Sequence, residues 1–176
     1  MHLEAYEFLK LMSRYITINV GEMRNLRVLE FGSHDVNGSP RRIFKNVAEY
    51  VGVDPWPGPG VDVMAFAQDY DGQGSFDLVI SAECLEHDPF PRWQIQSACR
   101  ALKPGGLLVI TAAAPPRAPH RCDGMEGDLQ GEHYANIDPT GLLYWLLYDF
   151  PGWKVIYFYH DRFHGDVQVL AERGGS

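Results

Sequence analysis

The sequence has few cysteines, no excess of basic charge and no long apolar run, and each shortage argues against a class of protein. Its three cysteines, Cys84, Cys99 and Cys122, are odd in number and form no CxxC pair, which argues against a disulfide framework and fits a reducing cytoplasm. The residues after Met1 lack the basic and apolar regions of a signal peptide, and no apolar run approaches the ~20 residues that cross a bilayer. We therefore expect a cytoplasmic protein that contacts no membrane.

The charge balance argues against binding to nucleic acid. Lysine and arginine total 15 against 23 aspartate and glutamate residues, for a formal net charge of −8. Nonspecific binding to a phosphate backbone needs a basic surface. Two short basic clusters, at residues 41–45 and 117–121, are interpreted as solvated surface because such clusters are weak motifs.

The order of apolar segments predicts an α/β fold, because strands that alternate with helices indicate a parallel sheet covered on both faces. Helical spacing occurs at residues 3–20, 40–48, 89–102 and 139–148. Short apolar runs predict strands at residues 27–31, 50–53, 61–65, 76–80 and 107–111, and a closing strand pair at 153–159 and 167–171. The glycine-rich stretch at residues 103–106 is predicted to separate the helix before it from the strand after it.

A chain of 176 residues predicts a single domain, here spanning residues 1–176. We divide it into an N-terminal helix (1–20), a core (26–112), a long loop (113–138) and a closing helix and strand pair (139–176). The loop has three prolines before residue 120 and little periodicity. A loop of that length inside a compact domain is usually functional or disordered, so we predict that it contacts substrate.

The run from Val28 to Gly32 is the first segment with a chemical role. A buried strand that ends in glycine brings backbone N–H groups close to a ligand, at the crevice where parallel sheets bind cofactors. Glu30 precedes this glycine by two residues, and a second acid, Asp54, closes the next strand 24 residues after Glu30. That spacing suits one strand–helix–strand unit.

Two later segments, residues 76–87 and 100–106, complete the pattern. The first is a strand followed by a stretch that ends in Leu-Glu-His, and the second is a helix end followed by Lys-Pro-Gly-Gly. Together with Glu30, Gly32 and Asp54, these segments resemble the class I S-adenosylmethionine-dependent methyltransferases, in particular small type-11-like members. The resemblance covers about residues 26–112, and the order and spacing of the segments are more specific than any one of them.

The glycine loop departs from the family pattern E/D-x-G-x-G-x-G. Glu30 and Gly32 match, but His34 replaces the second glycine and Gly38 comes two positions late. We therefore expect the loop after the first strand to be longer or differently bent than in the family.

The resemblance implies a three-layer α/β/α Rossmann-like sandwich, with a mostly parallel seven-stranded sheet and an antiparallel last strand.

The resemblance also implies S-adenosylmethionine as cofactor, with Asp54 on the ribose hydroxyls. A turn-forming aspartate before Pro55 is the alternative role for Asp54. Trp56 would cover the adenine or pack on neighbouring prolines, and Gln68 or Asp69 would read the adenine amino group or lie in a loop without a role. The full set of implied cofactor-binding residues is Glu30, Gly32, Ser33, Asp54, Trp56, Ala67, Gln68 and Glu83.

His87 is the candidate catalytic residue. It follows the strand that should face the methionine end of the cofactor, where it would act as a base or pack beside the cofactor. Glu83, Glu86 and His87 form Glu-x-x-Glu-His, a spacing that would place three side chains on one face of a helical turn. Similar triplets bind a divalent ion in ubiquinone-pathway and small-RNA methyltransferases, and His120 or His133 could add a ligand. Metal-free relatives with Leu-Glu-His leave the metal as the less favoured alternative.

The predicted function is methyl transfer to an O, N or C nucleophile of a small-molecule acceptor. Specificity would come from the N-terminal helix and residues 113–138, because the chain has no separate substrate domain. The alternatives are a non-catalytic cofactor-binding module, a metal-assisted O-methyltransferase using Glu83, Glu86 and His87, and a nicotinamide-dependent oxidoreductase. The absence of G-x-G-x-x-G disfavours the last. The remaining histidines, among them His2 and His34, are expected to have surface or structural roles, and the oligomeric state stays open.

Overall fold

The computed structural model describes residues 2–123, 125–150 and 152–175. Its strands are β1 (Arg27–Phe31), β2 (Glu49–Asp54), β3 (Val63–Met64), β4 (Phe76–Ala82), β5 (Leu102–Ala113), β6 (Trp153–Asp161) and β7 (Asp166–Arg173). Its helices are α1 (Leu3–Asn19), α2 (Pro91–Ala101) and α3 (Pro139–Tyr144), and α3 continues as a π-helical turn over Trp145–Asp149.

The seven strands form one sheet in the order β3-β2-β1-β4-β5-β7-β6. Strands β1 to β5 pair in parallel, whereas β7 is antiparallel to both β5 and β6. The predicted mostly parallel sheet with an antiparallel last strand is therefore confirmed. Since β1, β2 and β4 run in the same direction, their carboxyl ends meet at one edge of the sheet, where open α/β sheets bind ligands.

Apolar side chains leave β1 on both faces of the sheet, and each face is covered by helices. Val28 packs with the buried stripe of α1, which includes Phe8 and Met12. On the other face, Leu29 and Phe31 belong to the cluster that contains the inward residues of α2 and α3. These two clusters make the three-layer α/β/α sandwich that the sequence predicts. None of the helices in the described ranges is long and apolar enough to span a membrane.

The helix predicted at residues 40–48 is wrong. Only a 3₁₀ turn forms, at Pro40–Arg42, with the Ser39 hydroxyl accepting a hydrogen bond from the Arg41 N–H. Phe44 is fully buried against the α1 face, and Asn46 has a φ of 65°. A left-handed residue at that point interrupts a helix, so this apolar stretch is anchored by Phe44 and not by a helical face.

The turn predicted at residues 103–106 lies inside strand β5 and does not precede it. Leu102 pairs with Phe76, and the next pair in the ladder joins Leu107 to Leu78. The four intervening residues therefore bulge from the ladder between two paired positions. The helix ends where predicted, but the strand begins five residues earlier than predicted.

Asp138 is the N-cap residue of α3. The carboxylate accepts hydrogen bonds from the backbone N–H groups of Thr140 at 3.3 Å and Gly141 at 2.9 Å. Pro139 occupies the first helical turn, where its missing N–H costs nothing. This cap fixes the point at which the long loop re-enters the sandwich.

We expect Asp138→Ala to lower the free energy of unfolding by about 1 kcal/mol, because two helix N–H groups lose their acceptor. Asp138→Asn keeps a side-chain oxygen and should cost less than half of that amount. Urea denaturation followed by circular dichroism measures both. Equal destabilisation by the two variants would contradict the capping role.

Candidate functional site

Gly32 directly follows β1 and packs against Cys84, which lies just after β4. It has a φ of +74°, and a Cβ built on it would lie 2.5 Å from the Sγ of Cys84. Both the left-handed conformation and the close approach require glycine. The N–H of Gly32 also donates to the Val53 carbonyl at 3.0 Å, so the loop after β1 is held against β2 as well as β4.

Asp54, the last residue of β2, connects two loops at the sheet edge. One carboxylate oxygen accepts from the N–H of His34 at 3.2 Å, and the other accepts from the N–H of Trp56 at 2.9 Å. The side chain is 8% exposed and lines a cavity. Each oxygen retains a lone pair, so the carboxylate can accept further hydrogen bonds from a ligand.

The cavity at this edge has a volume of about 730 Å³, which suits a small-molecule or cofactor site. Six of the eight cofactor-binding residues predicted from the sequence lie on its wall: Glu30, Gly32, Asp54, Trp56, Ala67 and Glu83. The other two, Ser33 and Gln68, are not among the residues that line it. Ser33 is buried with an unpartnered hydroxyl, and the backbone carbonyl of Gln68 accepts from the Arg100 side chain at 3.0 Å.

Glu30 is a buried carboxylate on the wall of the cavity. The hydroxyl of Tyr50 donates to its Oε2 at 2.7 Å, and the Arg41 guanidinium lies 4.5 Å from the centre of the Tyr50 ring. Burial raises the pKa of Glu30 from 4.5 to about 7, and the Tyr50 hydrogen bond opposes this rise only in part. The carboxyl therefore changes charge near neutral pH.

The raised pKa of Glu30 predicts a pH-dependent stability. The contribution of the Glu30 carboxyl to the free energy of unfolding is fully present below about pH 4.5. It is lost as the pH rises through about 7, because ionisation in the folded state is disfavoured. We expect Glu30→Gln to gain about 3 kcal/mol of unfolding free energy relative to wild type between pH 4.5 and pH 8.

Urea unfolding of both proteins across that pH range measures the difference. Glu126→Gln, a change at an exposed glutamate, is the control and should give a difference that does not vary with pH. A constant difference for Glu30→Gln as well would contradict the prediction.

His87 lies in the 3₁₀ turn Leu85–His87 that follows β4, and it packs among other rings. Its ring centre is 5.3 Å from that of His120 and 5.5 Å from that of Tyr134, and His2 lies 5.8 Å from His120. His2, His87, His120 and Tyr134 thus form one cluster of rings. Burial, with His120 next in effect, lowers the pKa of His87 to about 4. His87 is therefore neutral at pH 7 and can accept a proton.

The prediction that Glu83, Glu86 and His87 share one face of a helical turn is wrong. Glu83 has a φ of 52°, and its N–H donates to the Thr111 carbonyl at 2.9 Å, so its backbone still follows β5. Glu86 is fully buried, and burial followed by Glu83 raises its pKa well above 4.5. Among the described residues, Glu86 and His87 have donor atoms within 4.8 Å of one another and of His120, without Glu83.

Comparison with known proteins identifies the family. The profile of a methyltransferase domain family matches residues 4–156. The chain belongs to this methyltransferase family. No protein of curated function matches the sequence.

Solved structures that resemble this methyltransferase domain share its fold at low sequence identity. The 1,6-didemethyltoxoflavin-N1-methyltransferase from Burkholderia thailandensis, with bound 1,6-didemethyltoxoflavin and S-adenosylhomocysteine, has a TM-score of 0.67 at 13% identity, over 95% of this chain and 78% of that chain. YcgJ from Bacillus subtilis has a TM-score of 0.68 at 12% identity, over 99% and 100%. The [4+2]-cyclase SpnF has a TM-score of 0.66 at 16% identity, over 96% and 81%.

The long loop supplies much of the cavity wall of the methyltransferase domain. The N–H of Ala135 donates to the Glu86 carbonyl, and that of Ile137 donates to the Ala113 carbonyl, both at 2.8 Å. Cys122 and Glu132 of this loop lie on the cavity wall. The sequence predicts a substrate loop at this position, but it gives no signal for which residues of the loop face inward.

His2 and His34 also line the cavity, and the surface or structural role expected for them stays a prediction. His34 stands in the altered glycine loop, which is a sequence signal for its location. His2 precedes α1, and nothing in the sequence indicates that α1 begins beside the sheet edge. By contrast, His160 contacts the Pro115 carbonyl and His164 contacts Asp161, as structural histidines do.

Proposed function

We propose that this methyltransferase domain binds S-adenosylmethionine in the cavity at the ends of β1, β2 and β4, and that it transfers the methyl group to an O, N or C nucleophile of a small-molecule acceptor. The observation that carries the proposal is the placement of Asp54 and Gly32 on one wall of a cavity of about 730 Å³. Family membership supports the same chemistry.

The residues on the wall fit the parts of this cofactor. Asp54 has lone pairs available for the ribose hydroxyls, beside the exposed indole of Trp56, which can cover one face of the adenine. At the other end, both carboxylate oxygens of Glu83 are buried without a hydrogen-bond partner among the described residues. An ammonium group would satisfy them, and the methionine part of the cofactor carries one.

S-adenosylmethionine supplies a methyl group on a sulfonium, the source of its reactivity. The chain has to hold an acceptor in line with that methyl group and exclude water, and alignment of this kind lowers barriers by about 7–11 kcal/mol. His2 and the loop residues beside Cys122 occupy the acceptor side of the cavity. His87, neutral at pH 7, would receive the proton of a hydroxyl or amine nucleophile.

Isothermal titration calorimetry tests the cofactor. We expect S-adenosylmethionine to bind the wild-type chain, and Asp54→Asn to weaken that binding by about 10- to 100-fold, the cost of losing a hydrogen bond to a charged acceptor. Asp71→Asn, a change at an exposed aspartate, should leave the affinity unaltered.

The same titration with NAD separates this proposal from an oxidoreductase. Binding of NAD with no response to S-adenosylmethionine would overturn the proposed function. Binding of S-adenosylmethionine with no methyl transfer to any compound in a broad acceptor screen would favour the non-catalytic module. The fold itself is compatible with other chemistry, since the solved cyclase SpnF shares it.

The role of His87 is tested with an acceptor from that screen. We expect His87→Ala to lower kcat by about 10²- to 10⁴-fold and to leave the affinity for S-adenosylmethionine unchanged. Because the pKa of His87 is about 4, protonation of His87 should not lower the wild-type kcat between pH 8 and pH 6 when S-adenosylmethionine is saturating. His164→Ala, at the exposed β6–β7 turn, is the control, and an unchanged kcat in His87→Ala would contradict a base role.

A further inference from the structure

Three side chains that are distant in the sequence meet above the cavity. His87 comes from the turn after β4, whereas Cys122 and Glu132 come from the long loop. One donor atom from each of the three lies within 4.8 Å of the others. The methyl-transfer chemistry proposed above assigns no role to Cys122 or Glu132, and the base role proposed there for His87 applies to the metal-free chain, because a zinc-bound imidazole has no lone pair left to receive a proton.

We propose that His87, Cys122 and Glu132 form a binding site for a divalent cation that accepts sulfur ligands, with Zn²⁺ as the expected ion. A thiolate, an imidazole and a carboxylate are the three ligand types that zinc takes in proteins. The thiolate argues against Mg²⁺ and Ca²⁺, which prefer oxygen ligands. Three protein ligands leave the fourth tetrahedral position open, and all three side chains line the cavity.

The loop is already folded so that its two ligands lie together. The backbone N–H of Cys122 donates to Oε2 of Glu132 at 2.8 Å, across ten residues of chain. Tetrahedral zinc places its donor atoms about 3.5 Å apart, and the three donor atoms here already lie within 4.8 Å of one another. Both Cys122 and Glu132 are exposed, so a cation can reach them from the solvent.

This site differs from the Glu-x-x-Glu-His site considered from the sequence. That site would use Glu83 and Glu86, and donor atoms of His87 and His120 lie within 4.8 Å of a Glu86 carboxylate oxygen. The two sets share only His87, and only the set proposed here contains sulfur. A cation at Cys122 and Glu132 would tie the long loop to the turn after β4, and would thereby fix the acceptor side of the cavity whether or not cofactor is bound.

Titration with Co²⁺, which replaces Zn²⁺ and is coloured, tests the site without cofactor or substrate. We expect wild type under reducing conditions to bind one equivalent with a thiolate-to-cobalt charge-transfer band, and Zn²⁺ to abolish the band by displacement. Cys122→Ser should lose the band, and Glu132→Gln should bind at least about tenfold more weakly, since even outer-shell changes cost that much. Circular dichroism confirms that each variant is folded.

Two matched variants separate this site from its alternatives. Cys99→Ser changes a half-buried cysteine on α2, and Glu86→Gln changes a buried carboxylate that clusters with His87 and His120 but lies outside the set, so both should retain the band and the affinity. Absence of the band in wild type, its persistence in Cys122→Ser, or its loss in Cys99→Ser or Glu86→Gln would overturn the proposal. None of these readouts depends on S-adenosylmethionine, so a failure here leaves the proposed function standing.

Discussion

The burial of β1 between β2 and β4 is the constraint on which the candidate site depends. Val28, Leu29, Glu30 and Phe31 are all buried, so the strand cannot slide without exposing apolar surface. In this register Phe31 lies beside Val53 of β2 and Ser81 of β4. The next residues of each strand, Gly32, Asp54 and Ala82, therefore reach the sheet edge at the same level. The cavity is a consequence of this alignment.

Most of the sheet could be predicted because its central strands are buried on both faces and therefore appear as short apolar runs. The same reasoning failed at residues 40–48, where Pro40 and nearby apolar residues imitate a helix start. There a single side chain, Phe44, fills the space beside α1, and a pattern of apolar residues cannot distinguish one anchor from a helical stripe. The bulge at residues 103–106 was not predicted, for a related reason. The sequence shows where the apolar pattern is interrupted, but it does not show that Leu102, before the interruption, already pairs with β4.

The site could be predicted where a strand end determines position. Gly32 and Asp54 lie at the cavity because they close parallel neighbours. Glu83 also lies there, but it is not part of a helix. Its backbone is left-handed, and its N–H donates to the Thr111 carbonyl of β5. The contributions of His2, Cys122 and Glu132 could not be foreseen, because each depends on how α1 and the long loop pack over the sheet edge, and neither position is encoded in local sequence.

The cavity wall is rich in ionisable groups, and burial favours the uncharged form of four of them. Burial lowers the pKa values of His2 and His87 to about 4 and raises those of Glu30 and Glu83 to about 7. The imidazoles of His2 and His87 are neutral at physiological pH, while the carboxyls of Glu30 and Glu83 lie close to their midpoints. Binding of a ligand can therefore change the charge of the two carboxyls: a cationic ligand favours loss of their protons, and a neutral ligand leaves them protonated. The solvent supplies or removes those protons, so the pocket can match the charge of its occupant without moving any backbone.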